Sequence, residues 1–303
     1  MASILDEKKC FLSILIVSLQ SMTRREIYDK VVAAAATNYD RVECGAVAER
    51  LCADLYGFGR FDVVMNGEAV PDGFDVEHFE VLLGRVAMGE PVQYIVGSTE
   101  FYGRRFVVRE GVLVPRPETE ELVALIVREN MLPTPRIVDL CTGTGAIAVS
   151  LACEIAGARV DAVDLSPIAI EVAGENIRAN GVDVALESGD IFEWEPERDA
   201  YDVIVSNPPY IPESERMDMD RNVVDFEPDM ALFVPDDSPL VFYERIADVA
   251  LVGLHEGGRL YFEIHERFAE ECAQMLRAKG FEAVCIHNDM NSKPRMVVCT
   301  KRV

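Results

Sequence analysis

The chain has 303 residues, half of them hydrophobic, which is enough apolar material for one large globular domain and a smaller one. Its 53 acidic and 29 basic residues give a formal net charge of −24, which repels polyanions over most of the surface and argues against nonspecific binding to nucleic acid or anionic membranes. Eight cysteines without any C-x-x-C pair read as reduced core thiols of a cytoplasmic protein, and four scattered histidines lack metal-ligand spacing, so no metal is expected.

Residues 1–21 form an N-terminal extension whose apolar run 10–19 is too short to span a membrane and is followed by no small-residue cleavage site. Because a helix opens cleanly after Met22, the extension reads as a start-site artefact, with an added amphipathic segment next and secretion last. Thr23 and Glu26 have capping-box spacing, Asp40 opens a second helix that closes at Gly57, and Asp75 opens another that closes at Gly89. Residues 22–92 therefore predict a small helical bundle. Nothing in it looks catalytic, which leaves it a packing or substrate-holding role.

Pro91 interrupts the helical period, and residues 93–111 read as a β-hairpin linker that starts with Gln93-Tyr-Ile-Val and is punctuated by Gly97 and Gly103. Residues 112–303 then alternate. Pro117 starts a helix to about Asn130. Strands are expected at 136–140, 158–165, 184–187, 202–205, 259–264, 282–287 and 295–300, with helices at 145–156, 167–180, 240–254 and 266–279. Such alternation implies an α/β fold with a largely parallel, doubly wound sheet, whose ligands sit at the carboxyl ends of the strands.

The first of these strands runs into Asp139-Leu-Cys-Thr-Gly-Thr-Gly-Ala-Ile-Ala148, a glycine-rich loop entering a helix. Cys141, Thr142, Gly143, Thr144 and Gly145 would approach a ligand with their backbone. Asp164, 21 residues beyond Gly143, ends the next strand where a carboxylate can accept both hydroxyls of a ribose. After the third strand, Asp190 can accept from an adenine amino group while Ile191 or Phe192 covers the ring; the same residues also suit an ordinary acidic turn. Arg116 and the carboxylates after it, Glu118 among them, either face the cofactor or form a solvated first turn. These features imply a nucleoside cofactor. They leave a dehydrogenase open.

The fourth strand of the series ends in Asn207-Pro-Pro-Tyr210 on the same edge as that loop. A fixed amide beside two stiffening prolines and a flat ring suits a planar NH2 group, which must be aimed because its lone pair is delocalised. A hydride acceptor needs no such holder. An amino-group methyltransferase does.

With these motifs in view, the chain from about Met22 onward resembles the peptide-chain-release-factor glutamine N5-methyltransferases. The matching stretches are Tyr94-Ile-Val-Gly97 with Glu100-Phe101, Pro115-Arg-Pro-Glu-Thr-Glu120, the Asp139 to Ala148 loop, Asn207-Pro-Pro-Tyr-Ile211, Phe226-Glu-Pro228 with Ala231-Leu232, and Phe262-Glu-Ile264. The resemblance implies a helical domain, a hairpin and a seven-stranded Rossmann-like domain for S-adenosyl-L-methionine. It implies that Asn207 Oδ1 and the Pro208 carbonyl accept the two N–H groups of a glutamine in a release factor while Tyr210 packs on the amide, with Pro209, Arg116 and Glu118 also meeting substrate. Asn207 would thus touch both cofactor and substrate. Direct in-line transfer follows, with no general base evident. The chain would act as a monomer with a protein partner and without direct nucleic-acid binding. Asn-Pro-Pro-Tyr alone is shared with methyltransferases of adenine or guanine NH2 groups in nucleic acid, the alternative; it is disfavoured by 13 acidic against 7 basic residues in 22–92.

Three departures from the family pattern stand out. Cys141 replaces the usual first glycine of the loop, so a negative φ is expected there. Ile191 occupies the position that is often aromatic, and His265 follows Glu263-Ile264 in place of glycine.

Overall fold

The computed structural model describes residues 22–303, so the apolar run 10–19 lies outside the described residues. The chain divides into two compact units: one reaches to Val96 and includes Arg221–Asp225, and the other comprises Gly97–Asp220 with Phe226–Val303.

The first unit is helical. Helix α1 (Arg24–Ala35) opens with a reciprocal cap in which Thr23 Oγ1 accepts from Glu26 N and Glu26 Oε2 accepts from Thr23 N. Asp40 caps α2 (Arg41–Tyr56), which ends at Gly57 with φ of 68°. A short α3 (Arg60–Asn66) follows, unannounced by periodicity because seven residues make fewer than two full turns of buried face. Asp75 caps α4 (Val76–Ala87). The next segment corrects the expectation of strand at Gln93: Val92–Val96 is a one-turn helix, α5, whose Tyr94 and Ile95 amides both donate to the Pro91 carbonyl. Pro91 ends one pattern and starts another, since a missing N–H costs nothing in a first helical turn. Ile27, Val31, Leu51, Phe58 and Phe79 form the fully buried centre of this unit.

The second unit begins with the antiparallel hairpin of β1 (Ser98–Phe101) and β2 (Arg104–Val107). Helix α6 (Pro117–Glu129) carries proline in its first turn. There follow β3 (Arg136–Leu140), α7 (Ala146–Glu154), β4 (Arg159–Asp164), α8 (Pro167–Asn180), β5 (Val184–Ser188) and β6 (Tyr201–Ser206). A two-residue parallel pair, β7 (Ile211–Pro212) with β8 (Phe233–Val234), brackets the segment after Asn207. Helix α9 (Val241–Gly253), β9 (Leu254–Glu263), α10 (Ala269–Ala278), β10 (Glu282–Asn288) and β11 (Pro294–Thr300) complete the chain.

Seven strands form one sheet in the order β10-β11-β9-β6-β3-β4-β5, and every pairing is parallel except the two made by β11. Residues of α9 and α10, such as Tyr243, Ile246 and Leu276, pack in one apolar cluster, and residues of α6 and α7, such as Leu122, Ile126 and Ile147, in another. The carboxyl ends of β3, β4, β5 and β6 thus lie along one edge, where a doubly wound sheet offers its ligand crevice. Among the described residues, no helix is long and apolar enough to cross a membrane.

A single buried amide ties the hairpin to this edge. Asn176 of α8, wholly buried, accepts from Val107 N at 2.7 Å and donates to Val107 O at 3.1 Å and Thr144 O at 2.9 Å. An alanine there leaves three backbone groups without this partner, the Thr144 carbonyl in a buried position. Asn176→Ala is expected to lower unfolding free energy by about 2–4 kcal/mol in denaturant titration, since each buried polar group left without a partner costs on the order of 1–3 kcal/mol. A midpoint matching wild type would show that the clamp is dispensable.

Candidate active site

The turn between β3 and α7 reverses the chain by placing Cys141, Gly143 and Gly145 all at positive φ, at 61°, 57° and 77°. The negative φ expected at Cys141 is therefore wrong. The chain must fold back at once so that Thr142 Oγ1 donates to Asp139 Oδ2 at 2.5 Å, Thr142 N reaches Val163 O at 3.1 Å, and Gly143 N reaches Asp164 Oδ2 at 2.8 Å. Those bonds hold a left-handed cysteine that on its own would cost about 1–2 kcal/mol. Burial and the neighbouring carboxylates push the Cys141 thiol up, which makes it a packing group rather than a nucleophile. At Gly145 a side chain would meet Ala173 at 3.3 Å, whereas nothing lies within 4 Å of a side chain added at Gly143, which faces open space.

That space is a cavity of about 410 Å³ with mostly apolar walls, within the range typical of cofactor sites. Cys141 to Thr144 line its floor, and Asp164, Asp190, Ile191 and Phe192 line it from the ends of β4 and β5. Asp164 Oδ1 accepts from Ser166 N at 2.8 Å; with Gly143 N on the other oxygen the carboxylate is already oriented, and each oxygen keeps a lone pair. Burial raises its pKa above the usual carboxylate range, against the pull of those backbone N–H groups. Asp190 Oδ1 accepts from Phe192 N at 2.9 Å, the closed acidic turn that the motif also allowed. Ile191 is buried, while Phe192 packs at a tilt against Phe242, with ring centroids 5.0 Å apart; Phe242 is a second ring lining the cavity that the sequence did not single out. The aromatic surface is thus present, one residue later than the usual position.

At the end of β6, Asn207 and Pro209 line the same cavity, and Pro208 and Tyr210 do not. Asn207 Nδ2 donates to Thr119 Oγ1 at 3.2 Å. Thr119 in turn donates to Glu263 Oε2 at 2.6 Å, and Tyr210 OH donates to Glu263 Oε1 at 3.2 Å. His265 meets the Tyr210 ring edge-on with centroids 6.0 Å apart. Arg116 lines the cavity but gives its guanidinium to Glu227 Oε1 at 2.7 Å, and Glu227 Oε2 accepts from Val114 N at 3.3 Å. It is therefore neither a solvated first turn nor a free cation. Glu118 is half-buried and outside the cavity lining. Thr119, Glu227 and Glu263 were missed as site residues; the available signal was a carboxylate set in an apolar strand, Phe262-Glu-Ile264, where an unpaired charge is not tolerated. Among the described residues, no group of three or more His, Cys, Asp or Glu is placed to hold a metal ion.

The arrangement provides an oriented acid for hydroxyls, a glycine-floored apolar pocket for a flat ring, and an amide whose polar end meets that pocket. The Methyltransferase small domain profile matches residues 119–225, and the PrmC N-terminal domain profile matches residues 34–97. The chain is 39% identical over 264 residues to the release factor glutamine methyltransferase of Bacteroides thetaiotaomicron, spanning 87% of this chain and 95% of that one. It is 35% identical over 270 residues to the enzyme of the same name from Flavobacterium psychrophilum, spanning 88% and 95%. Among solved structures, a methyltransferase from Pyrococcus furiosus matches with a TM-score of 0.50 at 17% identity, over 67% of this chain and 91% of that one, a likeness of fold alone.

The wholly buried Asp139 makes a pH test possible. Burial raises its carboxyl to about 7, with Asp164 adding to the rise and the bonds from Thr142 and Ala148 N opposing it. Its pKa in the unfolded chain is about 4. The folded state therefore holds the proton more tightly, and the stability this contributes is complete below pH 4 and is lost as pH rises through 7. Asp139→Asn, which cannot ionise, is expected to lose less stability than wild type between pH 4 and pH 7, by about a few kcal/mol in paired denaturant titrations. Parallel pH profiles would place the charge elsewhere.

Proposed function

Because this chain belongs to the release factor glutamine methyltransferase family, we propose that its cavity brings S-adenosylmethionine and a release-factor glutamine together at Asn207. The chain is a protein-glutamine N-methyltransferase that depends on S-adenosylmethionine. The residues present fit that cofactor. Asp164 is oriented to accept ribose hydroxyls, the open face of Gly143 admits close backbone approach, and Asp190 with Ile191, Phe192 and Phe242 suits an adenine. When bound, the cofactor supplies an electrophilic methyl group on a sulfonium sulfur.

The observation that carries the assignment is Asn207 at the carboxyl end of β6, sharing one cavity with the glycine loop after β3. Its Oδ1 would accept an N–H of the substrate amide from within the cavity, and the Pro208 carbonyl, outside the cavity lining, would accept the second from the adjoining surface. Tyr210, its hydroxyl held by Glu263, stiffens the turn that carries both acceptors. Asn207 would hold the substrate amide beside the cofactor site, the bound cofactor would supply the methyl group, and the proton displaced from nitrogen would leave to water. Positioning supplies most of the rate, since an amide nitrogen attacks only along its lone pair. The enzyme works as a monomer on release factors in the cytoplasm and does not contact nucleic acid directly.

The direct test is intact-mass analysis and peptide mapping of a release factor incubated with the protein and S-adenosylmethionine. One methyl on a glutamine side chain is expected, and a methyl on any other residue would remove the assignment. Asn207→Ala is expected to keep its fold and its calorimetric cofactor affinity while kcat falls about 100-fold to 1000-fold, the scale for removing one preorganised polar group. Wild-type single-turnover rates from that variant would take Asn207 out of the mechanism. Asp164→Ala should weaken cofactor binding by about 1.5–3 kcal/mol, the worth of hydrogen bonds to a charged group. An unchanged dissociation constant would put the ribose elsewhere.

A further inference from the structure

We propose that Glu263, acting through Thr119, decides which end of the Asn207 amide faces the cavity. The inference rests on the role of Asn207 argued above and deepens it. An asparagine amide has an accepting and a donating end of nearly the same shape, and only the accepting end can hold the N–H groups of a glutamine. Something must select between two orientations that sterics barely distinguish.

The selection is written in the proton inventory. Glu263, 1% exposed at the end of β9, receives the Thr119 hydroxyl on Oε2 and the Tyr210 hydroxyl on Oε1. A carboxylate serving two hydroxyl donors acts only as an acceptor. Thr119, 5% exposed in the first turn of α6, therefore spends its one proton on Glu263 and can only accept from its other neighbour. That neighbour is Asn207, 3.2 Å away, and it must present Nδ2. The other branch of the planar amide, Oδ1, is left for substrate. The flipped amide would set Oδ1 against a lone pair of Thr119 and offer glutamine N–H groups a donor.

The relay depends on Glu263 staying ionised, because a protonated carboxyl could donate to Thr119 and reverse every bond in the chain. Burial is the largest influence on this carboxyl and raises its pKa; the Thr119 hydroxyl, Arg295 and the Tyr210 hydroxyl oppose that rise, and Glu118 adds to it. Arg295 from β11 is itself held 3.2 Å from Asp289, while Tyr243 from α9 donates to the Glu263 carbonyl at 3.3 Å. The Thr119 and Tyr210 hydroxyls thus close on a buried carboxylate oxygen pair whose role is to orient an amide two hydrogen bonds away. Thr119 and Glu263 are positioning residues, and neither needs to touch the reacting atoms.

The test is a double-mutant cycle on the full chain, with saturating S-adenosylmethionine and an unmodified release factor. Thr119→Val keeps the shape and removes the hydroxyl. It should lower kcat about 10-fold to 100-fold, the scale of one or two hydrogen bonds, with cofactor affinity unchanged. Thr119→Ser should retain most of the wild-type kcat. In an Asn207→Ala background, Thr119→Val should have no further effect, because the residue through which it acts is gone. Should Thr119→Val fail to fold, Glu263→Asp withdraws the acceptor by one methylene and is read in the same cycle. A wild-type kcat from the single variant, or losses that simply multiply in the double variant, would overturn the inference. If the wild-type protein leaves release-factor glutamine unmodified, the reading of the site fails as a whole; if it methylates and Thr119→Val is unimpaired, only the relay fails.

Discussion

The site depends on the turn after β3 and on the side chains that hold it. Within ten residues the chain must leave the middle of a parallel sheet, expose backbone to a ligand and enter a helix. It does so through three left-handed residues. Such a turn leaves backbone groups without strand or helix partners, and side chains take them up: Asp139, just before the turn, receives Ala148 N as well as the Thr142 hydroxyl, while Asp164 and Asn176, from the following elements, respectively receive Gly143 N and donate to Thr144 O. The loop's shape is thereby held by bonds within the chain itself. This preorganisation removes a cost that binding would otherwise carry.

Buried acids do the same work elsewhere along this edge. Asp139, Glu227 and Glu263 each lie almost out of reach of water, and each raises its pKa because burial penalises the charged form. None is idle. Glu227 anchors Arg116 and the backbone of Val114, and Glu263 gathers Thr119 and Tyr210 around Asn207. A reaction that relies on aiming a neutral amide, rather than on moving protons, benefits from groups that cannot shift when substrate enters. Buried, mutually bonded polar groups have that property because any displacement leaves one of them unpaired.

Much of this protein was legible from local chemistry. The caps at Thr23, Asp40 and Asp75, the closing Gly57, the helix from Pro167 to Asn180 and the strand from Arg136 to Leu140 all follow from periodicity and terminus chemistry acting within a few residues. So did the placement of the glycine loop and Asn207 on one edge, because alternating strands and helices admit essentially one handedness of connection. Local rules gave the wrong answer at two places, once through contacts with the neighbouring strand and once through a second use of an adjacent residue. Cys141 is left-handed because Asp139, Val163 and Asp164 require it, and Val92–Val96 is helical because Pro91 starts a turn as readily as it ends one.

What the sequence determined by itself was the alternation of strands and helices, the glycine-rich loop after β3 and the place of Asn207 at the carboxyl end of β6, since each is set by residues adjacent in the chain. What only the tertiary structure decided was the direction in which that amide points. Asn207 meets Thr119 across 88 residues and Thr119 meets Glu263 across 144, and Arg116 finds Glu227 across 111. No period or cap reaches that far. Of these residues, Asn207 and Glu263 come together because β6 lies between β3 and β9 in register, which brings Ser206 beside both Leu140 and Phe262 at the end of the sheet.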